Sequence, residues 1–416
     1  MSPRPRRSQA GFTLVELLVG VAVSLVAIAG AVLMLQGQKR SFQGSSADRA
    51  LQETGRMALG AMSQDIAMAG YGVEPAMVFD FGQMVGVPMD RARQVAGQTV
   101  TFGGDSGGTT GFACAGAVSC RDATDGPDEL AFQYRDPYFN HQITAVTSSN
   151  SIEIAGPLGQ PIRAGQVFQA VCFTGNMTWA YLRASVDVAA ATTTPVPITL
   201  ESGVDLEYPH QNEALLADPC FSSGQARLLA VERVRYFVQS YDAAGNVVAW
   251  NTPGSRPYLL LDRGLRSGGA PLLDVVAPDV EDLQVSYVFP LAAAADQVAG
   301  ATPGTRLDNS ATGIDFAPTT VPTYAVARIS PIRGTHYPSN IRSVRVALVV
   351  RSPNPDSQLG DPTIPAAGNR PAISAGDPTY RRTTFETSVA IPNMEARAPF
   401  FPAIEPTSTV LNVGGG

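Results

Sequence analysis

The stretch that most restricts this chain runs from Phe12 to Leu35. It holds about 24 residues with no basic side chain, enough as a helix to cross a hydrocarbon core of roughly 30 Å. Arg4, Arg6 and Arg7 precede it, and basic residues on that side favour keeping that end in the cytoplasm. Everything after the run is then exported. One residue sits badly in it: Glu16, whose charge costs roughly 2.5–3.5 kcal/mol inside a bilayer on insertion scales. Something must offset that cost.

A cleaved secretory signal is the competing reading of the run, because Ala27-Ile28-Ala29 and Ala29-Gly30-Ala31 imitate small-residue cleavage sites. Glu16 counts against it, and so do the residues beyond Leu35. The chain contains 32 prolines, yet none between Pro5 and Pro75. Leu51, Ala58, Met62, Ile66 and Ala69 recur at helical spacing, with Arg49, Arg56, Gln64 and Asp65 elsewhere around the axis. The pattern predicts one helix from Phe12 to Ala69, apolar all round at first and amphipathic later, with Gly70 placed to stop it. Gly20, Gly30, Gly37, Gly44, Gly55 and Gly60 soften it, at about 1 kcal/mol each relative to alanine.

The segment Gly11-Phe12-Thr13-Leu14-Val15-Glu16-Leu17-Leu18 resembles a type IV prepilin leader junction: a short basic leader ending in glycine, a cut before Phe12, and a glutamate fifth in the mature chain. The resemblance implies a prepilin peptidase that cuts after Gly11 and methylates the new amino terminus. It also implies that Glu16 pairs with the Phe12 amine of a neighbouring subunit, an attraction strengthened by low dielectric and reduced by desolvation. A carboxylate in the first turn also suits the positive end of the helix dipole. Further on, Arg56, Ala58, Asp65, Ile66, Ala69, Gly70 and Tyr71 resemble the helix end of the PilW group of minor pilins. Val280-Glu281-Asp282-Leu283-Gln284-Val285-Ser286-Tyr287, Ile341 to Val346 and Arg381-Arg382-Thr383-Thr384-Phe385 come after it in the order of that group.

That resemblance implies an α+β chain: a leader over 1–11, a pilin helix over 12–70 with its transmembrane part at 12–35, and an exported β-rich head over 71–416. It implies a minor pilin that helps to initiate pilus assembly near the filament tip. Its partners would be other minor pilins, the major pilin, the prepilin peptidase and the inner-membrane assembly platform, with a tip adhesin left open. The chain would sit in the bacterial inner membrane with its head in the periplasm, then in the pilus at the cell surface. A type II secretion pseudopilin and a membrane-anchored periplasmic enzyme are the alternatives.

The body after Tyr71 reads as strands between turns. Val344, Val346, Leu348 and Val350 alternate with Arg345, Ala347, Val349 and Arg351, which predicts one apolar face. Phe385, Thr387, Val389 and Ile391 repeat the pattern. Leu228 to Tyr241 and Val247 to Trp250 flank the five-residue loop Asp242 to Asn246 as a hairpin. Leu130–Tyr134, Val167–Thr174, Thr178–Leu182, Tyr258–Leu261 and Leu283–Phe289 are further predicted strands. Long loops are expected at about 103–128, 189–197, 291–322 and 353–380.

Little in this body reads as chemistry. Gly104-Asp105-Ser106-Gly107-Gly108 spells a serine-protease string, but His141, His210 and His336 all come after Ser106, against that family's order, and a surface loop is the better reading. The acidic stretch Asp122 to Glu129 lacks the ligand order of a calcium loop and reads as a solvated turn. No metal or cofactor is expected. The net charge of -7 and the low share of charged residues, 16%, argue against nucleic acid as a partner. Cys114, Cys120, Cys172 and Cys220 make an even count in an exported chain, which favours disulfides over a zinc site. Three connectivities are open. Short closures favour Cys114 to Cys120 and Cys172 to Cys220, worth roughly 2 and 4 kcal/mol in the loop-entropy model.

Overall fold

The computed structural model describes residues 13–73, 78–79, 126–172, 178–201, 219–267, 270–288, 306–307, 341–356, 360–368 and 370–395. Helix α1 (Leu14–Met68) is unbroken, and 55 residues at helical rise span roughly 80 Å. Its apolar first half, Leu14 to Leu35, is fully exposed, whereas Leu51, Ala58, Met62, Ile66 and Ala69 are buried to 2% or less. The stripe legible in the sequence is therefore the face that joins the head. Gly70 stops the helix as expected, at φ +79°, where a Cβ would meet Met394 and Val78 at 3.0 and 3.2 Å.

The head begins with β1 (Leu130–Ser148), β2 (Ser151–Ile154), β3 (Val167–Cys172), β4 (Thr178–Arg183) and β5 (Val196–Thr199). After the single turn α2 (Pro219–Ser222) come β6 (Ala226–Tyr241), β7 (Val247–Val248), β8 (Arg256–Ser267) and β9 (Ala270–Pro278). These nine strands form one antiparallel sheet, and β6 is its spine. One edge of β6 runs along β1 from Gln142 to Leu130; the other pairs first with β3 and then, from Arg235 onward, with β8. At Asp279, held at φ +59°, the chain turns into a second sheet. Its strands are β10 (Val280–Val288), β11 (Arg306–Leu307), β12 (Ser343–Arg351) and β15 (Arg382–Ala390), in the order β11-β10-β12-β15. A small pair, β13 (Thr363–Ile364) and β14 (Ile373–Ser374), precedes β15, and the turn α3 (Pro392–Glu395) closes the described chain.

Among the described residues two large hydrophobic cores result, beside a small cluster of Ala347, Val349, Ile364 and Ala367. The first gathers Leu51, Ala58, Met62 and Ile66 of α1 with Phe132, Tyr236, Leu259, Leu283, Val346, Leu348 and Met394. The second lies within the other half of the large sheet, around Ile143, Ile152, Phe168, Ile198, Phe221 and Leu228. A bridge between Ala184 and Leu200 joins the ends of β4 and β5, so that this half curls round its own core. Cys172 and Cys220 are bonded inside it, with Cα atoms 6.0 Å apart.

Several expectations need correction. Residues 189–197 are not all loop: Val196 begins β5, and Val188 and Ala191 make isolated bridges to Ile162 and Leu158. Residues 353–380 contain β13 and β14. In β12 only the first half has one apolar face. From Ala347 onward both faces are buried, since Ala347 and Val349 pack on Ile364, Ala367 and Trp250. Strands β2 and β9 went unpredicted, β11 lies within the loop expected at 291–322, and β1 runs far beyond Tyr134. The strand passes Asp136 and Pro137 by a shift of register between Arg135 and Asn140 and then resumes. The second arm of the hairpin is only Val247–Val248, because β6 turns its other edge to β8.

Candidate functional site

The sequence concentrates function on the helix, and the structure shows how each end of that helix is held. Thr13 is its N-cap. The Glu16 amide donates to Thr13 Oγ1 at 3.3 Å, while the Thr13 amide and hydroxyl both donate to Glu16 Oε2 at 2.9 Å. This reciprocal box satisfies two of the amides that every helix start leaves orphaned. Glu16 therefore has donors within its own chain, beside any that assembly supplies. The threonine-x-x-glutamate signature that announces such a box stands in Thr13-Leu14-Val15-Glu16, although the prepilin resemblance alone does not call for it. Gly11 and Phe12 lie outside the described residues.

The far half of α1 is fastened to the head by polar contacts that no local pattern announces. Tyr236 donates to Asp65 at 2.6 Å, and Arg263 lies 3.9 Å from Asp65 and 3.5 Å from Glu232. Burial, then the bond to Asp65, drives the Tyr236 phenol far above its ordinary range, so it stays a donor. Burial likewise raises the Glu232 carboxyl, against the pull of Arg263 and with the push of Asp136 and Asp65. Asp65, read as part of the polar side, thus faces the head. Arg381 reaches α1 from the start of β15, at 2.9 Å from Asp48 and 3.2 Å from the carbonyl of Gly44. Asn393 of α3 donates toward the carbonyls of Ala67, Met68 and Ala69, each 3.3 Å away, and so covers the helix end. Gly55 leaves room for the Phe385 ring of β15.

The later stretches that carry the resemblance meet in space. Arg382 binds both oxygens of Glu281, at 2.6 and 3.0 Å, with the pair almost fully buried. Arg370 binds Asp282 at 2.5 Å, both side chains at 0% exposure, and also donates to the carbonyls of Pro365 and Pro371. A buried carboxylate left unpaired is costly, so these pairs hold the 360–382 segment against β10. Of the protease string's partners only His141 is described, and it bonds the carbonyl of Ala155 at 2.9 Å, with its ring tilted against that of Phe139. Ser106, His210 and His336 lie outside the described residues, as do Cys114, Cys120 and Asp122 to Asp125. No group of metal-ligating side chains occurs among the described residues.

Comparison with known proteins falls on these same two regions. Residues 6–32 match the prokaryotic N-terminal methylation motif, and residues 235–393 match the family described as Type IV Pilus-assembly protein W, PilW. No curated protein matches the chain. Among solved structures it is similar to the type IV-like pilin TTHA1219 from Thermus thermophilus, at 13% identity over 56% of this chain and 89% of that one. The TM-score of 0.20 is too low for that likeness to carry any argument. A prepilin motif on an exposed apolar helix, continued into a β-rich head, defines a membrane-anchored protein of the type IV pilin-like class. Within that class, residues 235–393 are similar to minor pilins of the PilW type, and those residues build most of the first core.

Proposed function

We propose that the chain is cut after Gly11, holds its head in the periplasm on the membrane-spanning part of α1, and co-assembles with other minor pilins to prime a type IV pilus near its tip. The observation that carries this reading is the division of α1. Its second half is built into the first core, while its first half, with one carboxylate at Glu16, is left wholly uncovered by its own chain. An apolar rod of that kind is soluble only in lipid or among other such helices. Glu16 then exchanges or shares its Thr13 donors with the Phe12 amine of a neighbouring subunit.

The substitution Glu16→Ala tests the pairing. If Glu16 were an incidental polar group, removing its charge would favour insertion and leave pilus number intact. If it pairs, the docking step loses one member of a desolvated ion pair, a penalty of about 3–5 kcal/mol. The variant is expected to insert, to begin at Phe12 by intact-mass measurement, and to fail to restore surface pili in a deletion strain. Normal pilus counts with the variant present in sheared filaments refute the pairing; a retained leader refutes the processing site.

A further inference from the structure

We infer that the open edge of β15 is where an extended segment of a different co-assembling subunit adds to the four-stranded sheet as a fifth strand. The inference rests on the co-assembly proposed above and names the surface it uses.

The geometry of the edge comes first. Ser352 donates its amide to the carbonyl of Arg381, and Ile391 donates to the carbonyl of Arg342, so residues 381 and 391 turn toward β12. The Arg382 amide turns the other way, to the Asp361 carboxylate at 2.6 Å. Since backbone groups alternate sides along a strand, Thr384, Glu386, Ser388 and Ala390 point theirs outward. Among the described residues no strand pairs with them on that side. All four side chains are exposed, and Phe385, Thr387 and Val389, on the face toward α1, are only half-buried.

Open edges are normally guarded by proline, lysine, a bulge or an inward charge. Strand β9, also paired on one side only, shows such guards: Pro271 and Pro278 and two shifts of register against β8. Beyond Arg382, whose charge is buried on Glu281, β15 has none of them. Its nine pairs with β12 run without a shift, its sequence RTTFETSVA lacks proline and lysine, and it is rich in the β-branched residues that favour strands. Its one exposed charge, Glu386, is partnered by Arg345 of β12.

Direction and charge select the occupant. Arg381 meets α1 at Asp48, Phe385 at Gly55 and Asn393 at Ala67 to Ala69, so β15 runs the same way as α1. A second copy pairing symmetrically through β15 would therefore point its helix the opposite way, which one membrane does not allow. A register that set Glu386 against Glu386 would be unfavourable as well, since like charges directly opposite repel. The opposite edge of this sheet, at Arg306–Leu307, does run antiparallel to β15, and a second copy docked through it would show as adducts between like chains. The occupant is thus a strand from another pilin-type subunit, antiparallel to β15, with a neutral or basic residue facing Glu386.

A photoreactive benzophenone residue placed at Thr384, at Ser388 or, as a reference, at Leu25 of the full-length chain in its own cells reads this directly. After irradiation, mapped adducts from Thr384 and Ser388 are expected on one segment of one different pilin subunit, with the Ser388 adduct earlier in that segment. Ser388→Pro removes an edge-facing amide without touching a bond to β12. It should keep the unfolding temperature and cut the Thr384 adduct about tenfold. Adducts only to a second copy, or none at the edge while Leu25 labels other pilins, overturn the inference and leave co-assembly standing. No pilin adduct even from Leu25 overturns co-assembly itself.

Discussion

At the scale of single residues, Glu16 has two claims on it. The Thr13 amide and hydroxyl hold its carboxylate within the chain, and a neighbour's amine is proposed to take it during assembly. The capping hydroxyl has its own consequence. Thr13→Val keeps the shape and the amide but removes Oγ1, so the Glu16 amide loses its acceptor; loss of such a cap costs about 1 kcal/mol. In detergent micelles the Glu16 amide should then exchange with solvent about fivefold faster, and Thr13→Ser should restore it. An unchanged exchange rate in Thr13→Val would show that the box contributes nothing to the helix start. Asp65 makes the opposite point about legibility. Its charge and its place on the helix pattern said "solvent", but Tyr236 and Arg263, far away in sequence, turn it into the pin between helix and head.

At the scale of the elements, two glycines of α1 look alike in sequence and differ in their surroundings. Around Gly60 an added Cβ meets nothing within 4 Å, so Gly60→Ala should stabilise the full-length protein by up to about 1 kcal/mol through helix propensity. At Gly55 the same Cβ would enter the Phe385 ring, and overpacking of about 1–3 kcal/mol outweighs the propensity gain. Thermal unfolding in detergent should move up for Gly60→Ala and down for Gly55→Ala; shifts of the same sign would disprove the tight approach of β15. Glu232 adds a dependence on pH. Its carboxyl is raised above the ordinary glutamate value by burial, so the folded state holds that proton more tightly than the unfolded chain. Stability from this group is complete below the unfolded value and is lost as pH rises through the folded one. Glu232→Gln should therefore lose the part of the stability gain that the parent shows on acidification from neutral pH toward the ordinary glutamate range. A variant with the parent's full pH slope would place the titration elsewhere.

At the scale of the whole molecule, the head is two cores threaded by two strands, β1 and β6, rather than one. The PilW match begins at Arg235, where β6 leaves β3 for β8 and passes from the second core to the first. The Cys172–Cys220 bond lies wholly in the second core, and closing a loop of that size is worth about 4 kcal/mol in the entropy model. Reduction should then loosen one half. Hydrogen exchange under reductant is expected to quicken in β3 and β5 while β10 and β12 keep their protection; uniform loss across both sheets would mean that the two cores unfold as one.

The sequence by itself determined the helix, its exposed and buried halves, the stop at Gly70 and most strands, because these arise from spacing along one element. It also offered the right bond between Cys172 and Cys220, since a short closure is met first. What it did not determine is every feature made by residues distant in the chain. Glu281 and its partner Arg382 were visible only in separate stretches of resemblance, and Arg370, the partner of Asp282, stood in a segment read as loop, with nothing local to join them. β9 went unread because Pro271 and Pro278 bound it and its register against β8 shifts twice. Both faces of β12 are buried because β13, β14 and Trp250 fold over the side that spacing had left to solvent. Helical and strand periods are written in neighbouring residues, but a partner across a sheet or beneath a loop is chosen by packing, and only the tertiary structure records that choice.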